Sequence, residues 1–394
     1  MDFTLNKHQL HWQSVARTFA QGRVAPIARE MDESGEMPLT LVSEMAELGL
    51  LGTTLPKSLG GSEMDYVSLA LVYEELGRAC SSVRGFMTVH SSLVMQCIYQ
   101  WGTEDQKQNY LPAMARGEVI GCYALTEPEA GSDAASIQTI AKKLNNQAEN
   151  DFIYALSGEK IWITNGNIAR IGIVFAKLDT LSEKKPHEQV TAFIVHFNNP
   201  DIERVRMPGQ ELGHRASDHA KIIFRDSFVS RNDVLGGEDM GFKVAMSALD
   251  HGRLGVAAGA LGVHQACLDA CIAFARERKQ FGKPIGDFEM IQSTIAEMKA
   301  SLDASRLLVY RAAWMKDQGL PTKLETSVAK YFATNAACKA ASDAVLLHGG
   351  RGYSNEYPVE RYYRDIKGLQ IYEGTEHIQK IVIARETMKE PRLR

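Results

Sequence analysis

Apolar residues recur at helical spacing through the N-terminal part of the chain. Trp12, Val15 and Phe19 are three or four positions apart, and residues 64–77 continue the pattern. This spacing places apolar side chains on one face of a helix. The pattern therefore predicts an N-terminal all-α domain over residues 1–120.

Short β-rich runs replace the helical pattern over residues 121–235. Turn signals such as Ser157-Gly158 and Asn165-Gly166 separate these runs. Few helical segments lie between them, which favours antiparallel pairing over a βαβ array. We therefore expect a middle antiparallel β domain, with strands near residues 153–156, 160–164, 171–175, 190–197 and 220–224.

Long helical patterns return after residue 235. They cover roughly residues 242–277, 288–318 and 322–347, and a last helix is expected after Thr375. Long helices with short links are typical of a bundle. The sequence thus predicts an α+β multidomain protein that ends in a C-terminal four-helix bundle domain over residues 236–394.

Composition narrows the classes of partner. The chain is 45% hydrophobic and 23% charged, and its net charge of -4 gives no electrostatic reason to expect nucleic acid. The first residues lack the basic region and apolar core of a signal peptide. No apolar run approaches the ~20 residues that span a bilayer. We expect a cytoplasmic protein without membrane insertion.

The six cysteines form no C-x-x-C pair, and we interpret them as reduced, mostly buried thiols. His264, Cys267 and Cys271 lie at i, i+3 and i+7, on one face of a predicted helix. A zinc site needs a fourth ligand, usually from another segment. Helix packing explains the same pattern, so no metal is expected.

One carboxylate precedes the last predicted helix. Thr375 can cap that helix by accepting a hydrogen bond from a free backbone N–H, which places Glu373 in the turn before the cap. Gly374 lets the backbone bend there. A carboxylate held in such a turn suits a general base. An ordinary surface glutamate before a helix produces the same local sequence.

Three other motifs each have two interpretations. The glycine-rich run 348–352 could cradle phosphate, but it follows a helix, so it is no dinucleotide fingerprint and also fits a helix C-cap. The basic cluster around Phe281 is either a solvated helix end or a phosphate site. Trp162, two residues before Thr164 on a strand, is either ordinary core or a plate beside a planar cofactor.

Taken together, the motifs resemble the acyl-CoA dehydrogenases in order and spacing across essentially the whole chain. The matching runs are Thr126-Glu127-Pro128-x-Ala130-Gly131-Ser132-Asp133, Trp162-Ile163-Thr164-Asn165-Gly166, Arg278-x-x-Phe281-Gly282, Gly349-Gly350-x-Gly352-Tyr353 and Tyr372-Glu373-Gly374-Thr375.

The resemblance implies a flavoprotein with FAD bound between the β domain and the C-terminal helices, in a homotetramer whose subunits share sites. The cofactor contacts that it implies within one subunit are Tyr123, Leu125, Thr126, Ser132, Trp162, Ile163, Thr164, Thr375 and His377. Those that it implies from a neighbouring subunit are Arg278, Phe281, Leu346, Gly349 and Gly350. Many relatives have Gln where this chain has Glu289, and a carboxylate there would repel a pyrophosphate.

The resemblance also implies the chemistry. Glu373 would remove the α-proton of an acyl thioester while the β-hydride leaves to flavin N5. Its backbone N–H, with a flavin ribityl hydroxyl, would bind the thioester oxygen. Some relatives carry the base one residue before an Arg on the first long C-terminal helix; here that position is Gly252. The substrate contacts expected from this chain are Arg84, Ser132, Asp250, Arg253 and Gly374.

Two regions of the sequence bear on the identity of the substrate. The region around Arg84 resembles the glutaryl-CoA branch, where Arg meets a distal carboxylate; a salt-bridged helix-end Arg is the alternative. Residues 249–253 resemble dehydrogenases that act on carrier proteins and make polar polyketide extender units. We therefore expect dehydrogenation of a short or polar-ended acyl thioester on CoA or an acyl carrier protein, with an electron-transfer flavoprotein or another electron acceptor.

Three alternatives remain open. One is oxidation of a hydroxyacyl or aldehyde group on a carrier protein, and another is an acyl thioester oxidase. The third is a catalytically silent flavin-binding homologue.

Overall fold

The chain folds into helices, then a β sheet, then helices again, which confirms the predicted α+β plan. A computed structural model describes residues 4–144, 152–179 and 184–389. The N-terminal helices are α1 (Lys7–Phe19), α2 (Ala28–Ser34), α3 (Thr40–Glu47), α4 (Tyr66–Ala79), α5 (Ser81–Met87), α6 (Gln96–Trp101) and α7 (Glu104–Ala115).

Two of these helices and a π-helical stretch carry side chains of the candidate site. Asp65 caps α4, because its side chain accepts a hydrogen bond from the backbone N–H of Ser68 at 2.6 Å. Helix α5 continues into the π-helical segment Thr88–Met95. Nearly all of the side chains of α4 and α5 are buried, so these helices are interior elements.

The middle region forms one mixed sheet. Its order is β6-β7-β3-β2-β4-β5-β8, and β1 pairs with β4. Pairs β1–β4 and β2–β4 are parallel, and the other described pairs of this sheet are antiparallel. The strands are β1 (Gly121–Ala124), β2 (Ile140–Lys143), β3 (Phe152–Thr164), β4 (Ile171–Leu178), β5 (Val190–His196), β6 (Ile202–Arg206), β7 (His219–Ser230) and β8 (Val234–Leu235).

The turn predicted at Ser157-Gly158 is wrong. Strand β3 runs through these residues, with a register shift against β7 between Leu156 and Gly158. A Cβ at Gly158 would lie 2.7 Å from the Cα of Thr139. Glycine therefore permits a close approach of two backbones inside the sheet, which is a common reason for glycine in a strand.

The described C-terminal residues, 236–389, contain five α-helices, one more than the four of the predicted bundle. They are α8 (Gly241–Glu277), α9 (Glu289–Asp317), α10 (Lys323–His348), α11 (Val359–Leu369) and α12 (Glu376–Thr387), and a short hairpin of β9 (Lys279–Gln280) and β10 (Lys283–Pro284) follows α8. Helix α8 packs against α4, α9 and α10. By length and composition α8 could cross a membrane, but 72% of its apolar window is buried inside the fold.

Candidate active site

The turn between α11 and α12 carries Glu373. Thr375 caps α12 as predicted, since its Oγ1 accepts a hydrogen bond from the Ile378 backbone N–H at 3.3 Å. Glu373 and Gly374 have φ angles of 54° and 91°. A glutamate in the left-handed region is strained, and such strain needs support from the surrounding structure.

The carboxyl group of Glu373 lies over Gly252 on α8. A Cβ at position 252 would lie 2.0 Å from Glu373 Oε2. That oxygen is buried and has no hydrogen-bond partner among the described residues. The structure thus brings together the two positions that the sequence offered for a base, and the missing side chain at Gly252 makes room for Glu373.

Burial raises the pKa of the Glu373 carboxyl to about 7, and the charges of Lys330, Arg84 and Arg253 oppose this rise. Desolvation disfavours the charged form of a carboxylate. A base whose pKa lies near neutral pH is suited to proton transfer. The pKa of Glu373 is therefore in the range that suits a general base.

Lys330 supports the turn, and sequence reasoning missed it. This residue of α10 is only 1% exposed. Its Nζ donates hydrogen bonds to the carbonyl oxygens of Tyr372 at 2.7 Å and Gly374 at 2.5 Å. Lys330 is separated by three or four positions from Ala333 and Thr334, which are also buried. A lysine on an otherwise small and buried helix face was the signal that could have found it.

Arg84 lies close to the same turn. It is 1% exposed, and its guanidinium donates hydrogen bonds to the hydroxyl oxygens of Tyr372 at 2.5 Å and Thr88 at 3.3 Å. Its Nε has no hydrogen-bond partner among the described residues. None of the ion pairs found in that part of the chain involves Arg84. The salt-bridged helix-end alternative therefore finds no support.

Hydroxyl groups cluster around Arg84. Tyr73 shares a hydrogen bond with Ser92 at 2.7 Å between the two hydroxyl oxygens. Burial raises the pKa of Tyr73, which is also close enough to sense the charges of Arg84 and Glu373. This region next to the base is therefore polar, although it lies deep between α4, α5 and α8.

Asp250 and Arg253, both predicted to contact substrate, are paired with each other. Arg253 Nη1 donates to Asp250 Oδ1 at 2.6 Å. The Arg253 side chain is buried, whereas Asp250 is partly exposed. Because the pair lies on either side of Gly252, it is next to the carboxyl group of Glu373.

Trp162 sits in a bulge of β3. Its φ is 58°, and β3 shifts register against β7 between Lys160 and Ile163. The Trp162 side chain is 51% exposed, whereas Ile163 is buried in the core. A bulge re-aims a side chain, so the predicted flavin plate is presented outward and is not ordinary core.

A buried ion pair holds the loop that precedes Ser132. Lys160 Nζ donates to Glu127 Oε1 at 2.7 Å and to the Leu125 carbonyl oxygen at 3.2 Å. Both side chains of the pair are almost fully buried. Glu127 also accepts hydrogen bonds from Thr139, at 3.0 Å from its N–H and 2.5 Å from its hydroxyl. Sequence reasoning missed this pair.

The remaining predicted contacts of the same subunit differ in exposure. Tyr123 donates a hydrogen bond to the Ala245 carbonyl oxygen at 3.3 Å and is close enough to Glu373 to sense its charge. The hydroxyl groups of Thr126, Ser132 and Thr164 have no hydrogen-bond partner in the described part of the chain. His377 is exposed at the start of α12. These hydroxyls are thus available to a ligand.

Most residues predicted to reach a neighbouring subunit are on the surface, and Arg278, which follows the last residue of α8, is partly exposed. Phe281 and Gly282 form the tip of the β9–β10 hairpin with φ angles of 52° and 81°. This pair of positive φ values matches a type I′ turn. Phe281 is 94% exposed and Leu346 is 79% exposed, and the nearby Gly349 and Gly350 are exposed as well.

Family models match nearly the whole chain. They describe an acyl-CoA dehydrogenase N-terminal domain over residues 6–118, middle domain over 122–227 and C-terminal domain over 239–388. The chain belongs to the acyl-CoA dehydrogenase family. It is therefore an FAD-dependent oxidoreductase that dehydrogenates acyl-CoA substrates.

Full-length relatives agree with this assignment. The chain is 42% identical to the probable acyl-CoA dehydrogenase YngJ of Bacillus subtilis, covering 99% of this chain and 100% of YngJ. It is 39% identical to the short-chain specific acyl-CoA dehydrogenase of Clostridium acetobutylicum, covering 98% and 99% of the two chains. Butyryl-CoA dehydrogenase from Megasphaera elsdenii has a TM-score of 0.93, 38% identity and coverage of 99% and 100%.

The structure fits the family cofactor. The outward Trp162 ring offers a flat aromatic surface for a flavin, and the unpartnered hydroxyls of Thr126 and Thr164 offer hydrogen bonds. Tyr123 is close enough to Glu373 to sense its charge. Within the described ranges, no group of three or more His, Cys, Asp or Glu residues could hold a metal ion.

Proposed function

We propose that this acyl-CoA dehydrogenase acts on a short or polar-ended acyl group and uses Glu373 as its base. One observation carries the proposal: Glu373 Oε2 is buried, faces Gly252 and has no partner among the described residues. Leaving such an acceptor unpaired is costly. A substrate α-carbon proton beside this oxygen would give the carboxylate its function.

Dehydrogenation removes a proton from the α-carbon and a hydride from the β-carbon of the substrate. Bound FAD supplies the hydride acceptor for the β-carbon. Glu373 takes the proton from the α-carbon, and Gly252 leaves space for its carboxylate. Because the site is desolvated, the carboxylate is a stronger base than an exposed glutamate.

The thioester oxygen needs a donor as negative charge develops on it. The backbone N–H of Glu373 has no acceptor among the described residues. Lys330 and Gln379 hold the carbonyl groups of this turn, so the N–H direction is fixed. We assign this N–H to the thioester oxygen, in agreement with the resemblance.

Arg84 supports a polar end on the acyl group. Its Nε is buried against Gly259 of α8 without a hydrogen-bond partner among the described residues. Its Nη1 donates to the Thr88 hydroxyl, and Tyr73 is close enough to sense its charge. A long alkyl tail would lie against this charge without satisfying it. A distal carboxylate could pair with the guanidinium in a bidentate manner.

Assembly and partners are part of the proposal. Exposed Phe281 and Leu346 suit contacts with a second copy of the chain, and we propose a homotetramer with shared FAD sites. An electron-transfer flavoprotein is the proposed electron acceptor, and the cytoplasm is the proposed location. Domain boundaries at residues 120/121 and 235/236 remain a proposal, as does a carrier protein in place of CoA.

The decisive experiment replaces the base. Glu373→Gln keeps the size of the side chain and removes the basic oxygen. We expect anaerobic flavin reduction by butyryl-CoA and glutaryl-CoA to slow by about a hundredfold to ten-thousandfold, with FAD content and KM close to wild type. Flavin reduction at the wild-type rate would overturn the assignment of Glu373.

A panel of thioesters then defines the acyl group. Butyryl-CoA, glutaryl-CoA and a hydroxyacyl-CoA, each also loaded on an acyl carrier protein, are compared by kcat/KM. Preference for the polar-ended members supports the role of Arg84. Oxygen consumption in the same assay, without an added acceptor, would instead identify an oxidase.

A further inference from the structure

Lys330 has a buried amino group without an ion pair in the described part of the chain. It lies on α10, is 1% exposed, and none of the ion pairs within 4.0 Å found there includes it. Burial of an ammonium group is expensive without compensation. Compensation comes instead from carbonyl oxygens and from a carboxylate at longer range.

The two carbonyl groups that Lys330 binds flank the base. Nζ lies 2.7 Å from the Tyr372 oxygen and 2.5 Å from the Gly374 oxygen. The residue between them, Glu373, has the strained φ of 54°. The ammonium group therefore holds both ends of the peptide segment that sets the direction of the Glu373 side chain.

We propose that Lys330 is a positioning residue for Glu373, which clamps the backbone on both sides of the base and uses its charge to keep the base ionised. This inference rests on the proposed role of Glu373. Among the charges that lower the pKa of Glu373, that of Lys330 has the largest effect. The interaction is mutual: burial lowers the pKa of Lys330 to about 7, and the charge of Glu373 opposes this lowering.

Other groups facing the carboxylate have different roles. Arg84 and Arg253 also favour the ionised form, but their hydrogen bonds go to the side chains of Thr88, Tyr372 and Asp250. Three phenols complete the surroundings, and burial raises the pKa of each, so that they are neutral at neutral pH: Tyr73, Tyr123 and Tyr372.

Gln379 provides a matched control. Its Nε2 donates to the carbonyl oxygens of Gly374 at 2.9 Å and Glu373 at 3.3 Å. It thus supports the same turn without a charge. Both Lys330→Met and Gln379→Met remove hydrogen bonds to the carbonyl groups of the turn, but only Lys330→Met also removes a charge. Comparing them separates the two effects.

The experiment measures kcat/KM for butyryl-CoA against pH, with the holoenzyme and an artificial electron acceptor. Removing a positive charge raises the pKa of a carboxyl group. The acidic limb of the kcat/KM–pH profile should therefore lie about one pH unit or more higher in Lys330→Met than in the wild type. At pH 7 the kcat/KM of Lys330→Met should fall about fivefold or more, because the ionised fraction of a carboxyl group with a pKa of about 7 falls when that pKa rises by one unit. Gln379→Met should lower kcat without moving the limb, and Lys330→Arg should keep the wild-type limb.

The inference would be overturned if the acidic limb of the pH profile lay at the same pH in Lys330→Met, Gln379→Met and the wild type. If Lys330→Met fails to retain FAD, Lys330→Gln takes its place, because it keeps a donor and lacks the charge; an unshifted limb in that variant overturns the inference equally. Glu373→Gln is measured alongside. Full activity in Glu373→Gln refutes the base itself, whereas an inactive Glu373→Gln with an unshifted Lys330→Met refutes only the role of Lys330.

Discussion

Gly252 and Glu373 meet at one point on α8, where the absence of one side chain leaves room for the other. Gly252→Ala would place a Cβ 2.0 Å from Glu373 Oε2, so the carboxylate must move. We expect kcat for butyryl-CoA to fall about a hundredfold or more, as for loss of a general base. Stopped-flow flavin reduction measures this, and the unfolding temperature should be retained because alanine favours helix.

Slow flavin reduction together with a retained unfolding temperature would indicate that the Glu373 carboxylate is displaced. Reduction of the flavin at the wild-type rate in Gly252→Ala would show that Glu373 does not need its position over α8. A lower unfolding temperature together with lost FAD would indicate a packing defect, and would likewise count against the explanation.

The proposed contact of Arg84 with the end of the acyl group predicts an effect on substrate choice. Arg84→Ala should lower kcat/KM for glutaryl-CoA by roughly a hundredfold, about 3 kcal/mol for a hydrogen bond to a charged group, while butyryl-CoA is spared or improved. Thr88→Val is the matched control, since it removes one contact of the guanidinium at 3.3 Å and keeps the charge. Equal losses for both substrates would mean that Arg84 is structural.

At the scale of elements, the loop before Ser132 depends on the buried pair between Lys160 of β3 and Glu127. Lys160→Met would leave Glu127 buried and unpaired, which typically costs about 3–5 kcal/mol. We expect a lower midpoint of urea unfolding and weaker FAD retention. Lys142→Met, on the exposed side of β2, should change neither quantity. Adding Glu127→Gln to Lys160→Met should restore part of the stability, and no recovery would contradict the pairing.

Local pattern was enough to predict most elements but not how they approach each other. Helical spacing predicted α8, α9 and α10, and turn chemistry predicted the cap at Thr375. The bulge at Trp162 and the passage of β3 through Gly158 depend on contacts with β7 and Thr139, which are distant in sequence. The role of Lys330 also depends on residues distant in sequence, because its hydrogen-bond partners lie 42 and 44 residues away.

At the scale of the whole molecule, the exposed hairpin tip predicts assembly. Phe281→Asp should shift the protein from the proposed tetramer towards smaller species and lower its FAD content, since burial of a carboxylate in an interface is unfavourable. Light scattering with simultaneous absorbance at flavin wavelengths measures both. Leu10→Asp on α1, where Leu10 is 49% exposed, is the control and should leave both unchanged. A fully flavinated Phe281→Asp tetramer would remove the hairpin from the proposed shared site.

The outward bulge of β3 also predicts that the fluorescence of Trp162 depends on whether FAD is bound. Trp162 is one of four tryptophans, and its half-exposed ring would lie against the flavin. Its emission should therefore be quenched in the holoenzyme and recover as FAD dissociates on dilution. In Trp162→Phe most of that recovery should disappear, so the emission of a single side chain would report cofactor occupancy in every variant described above.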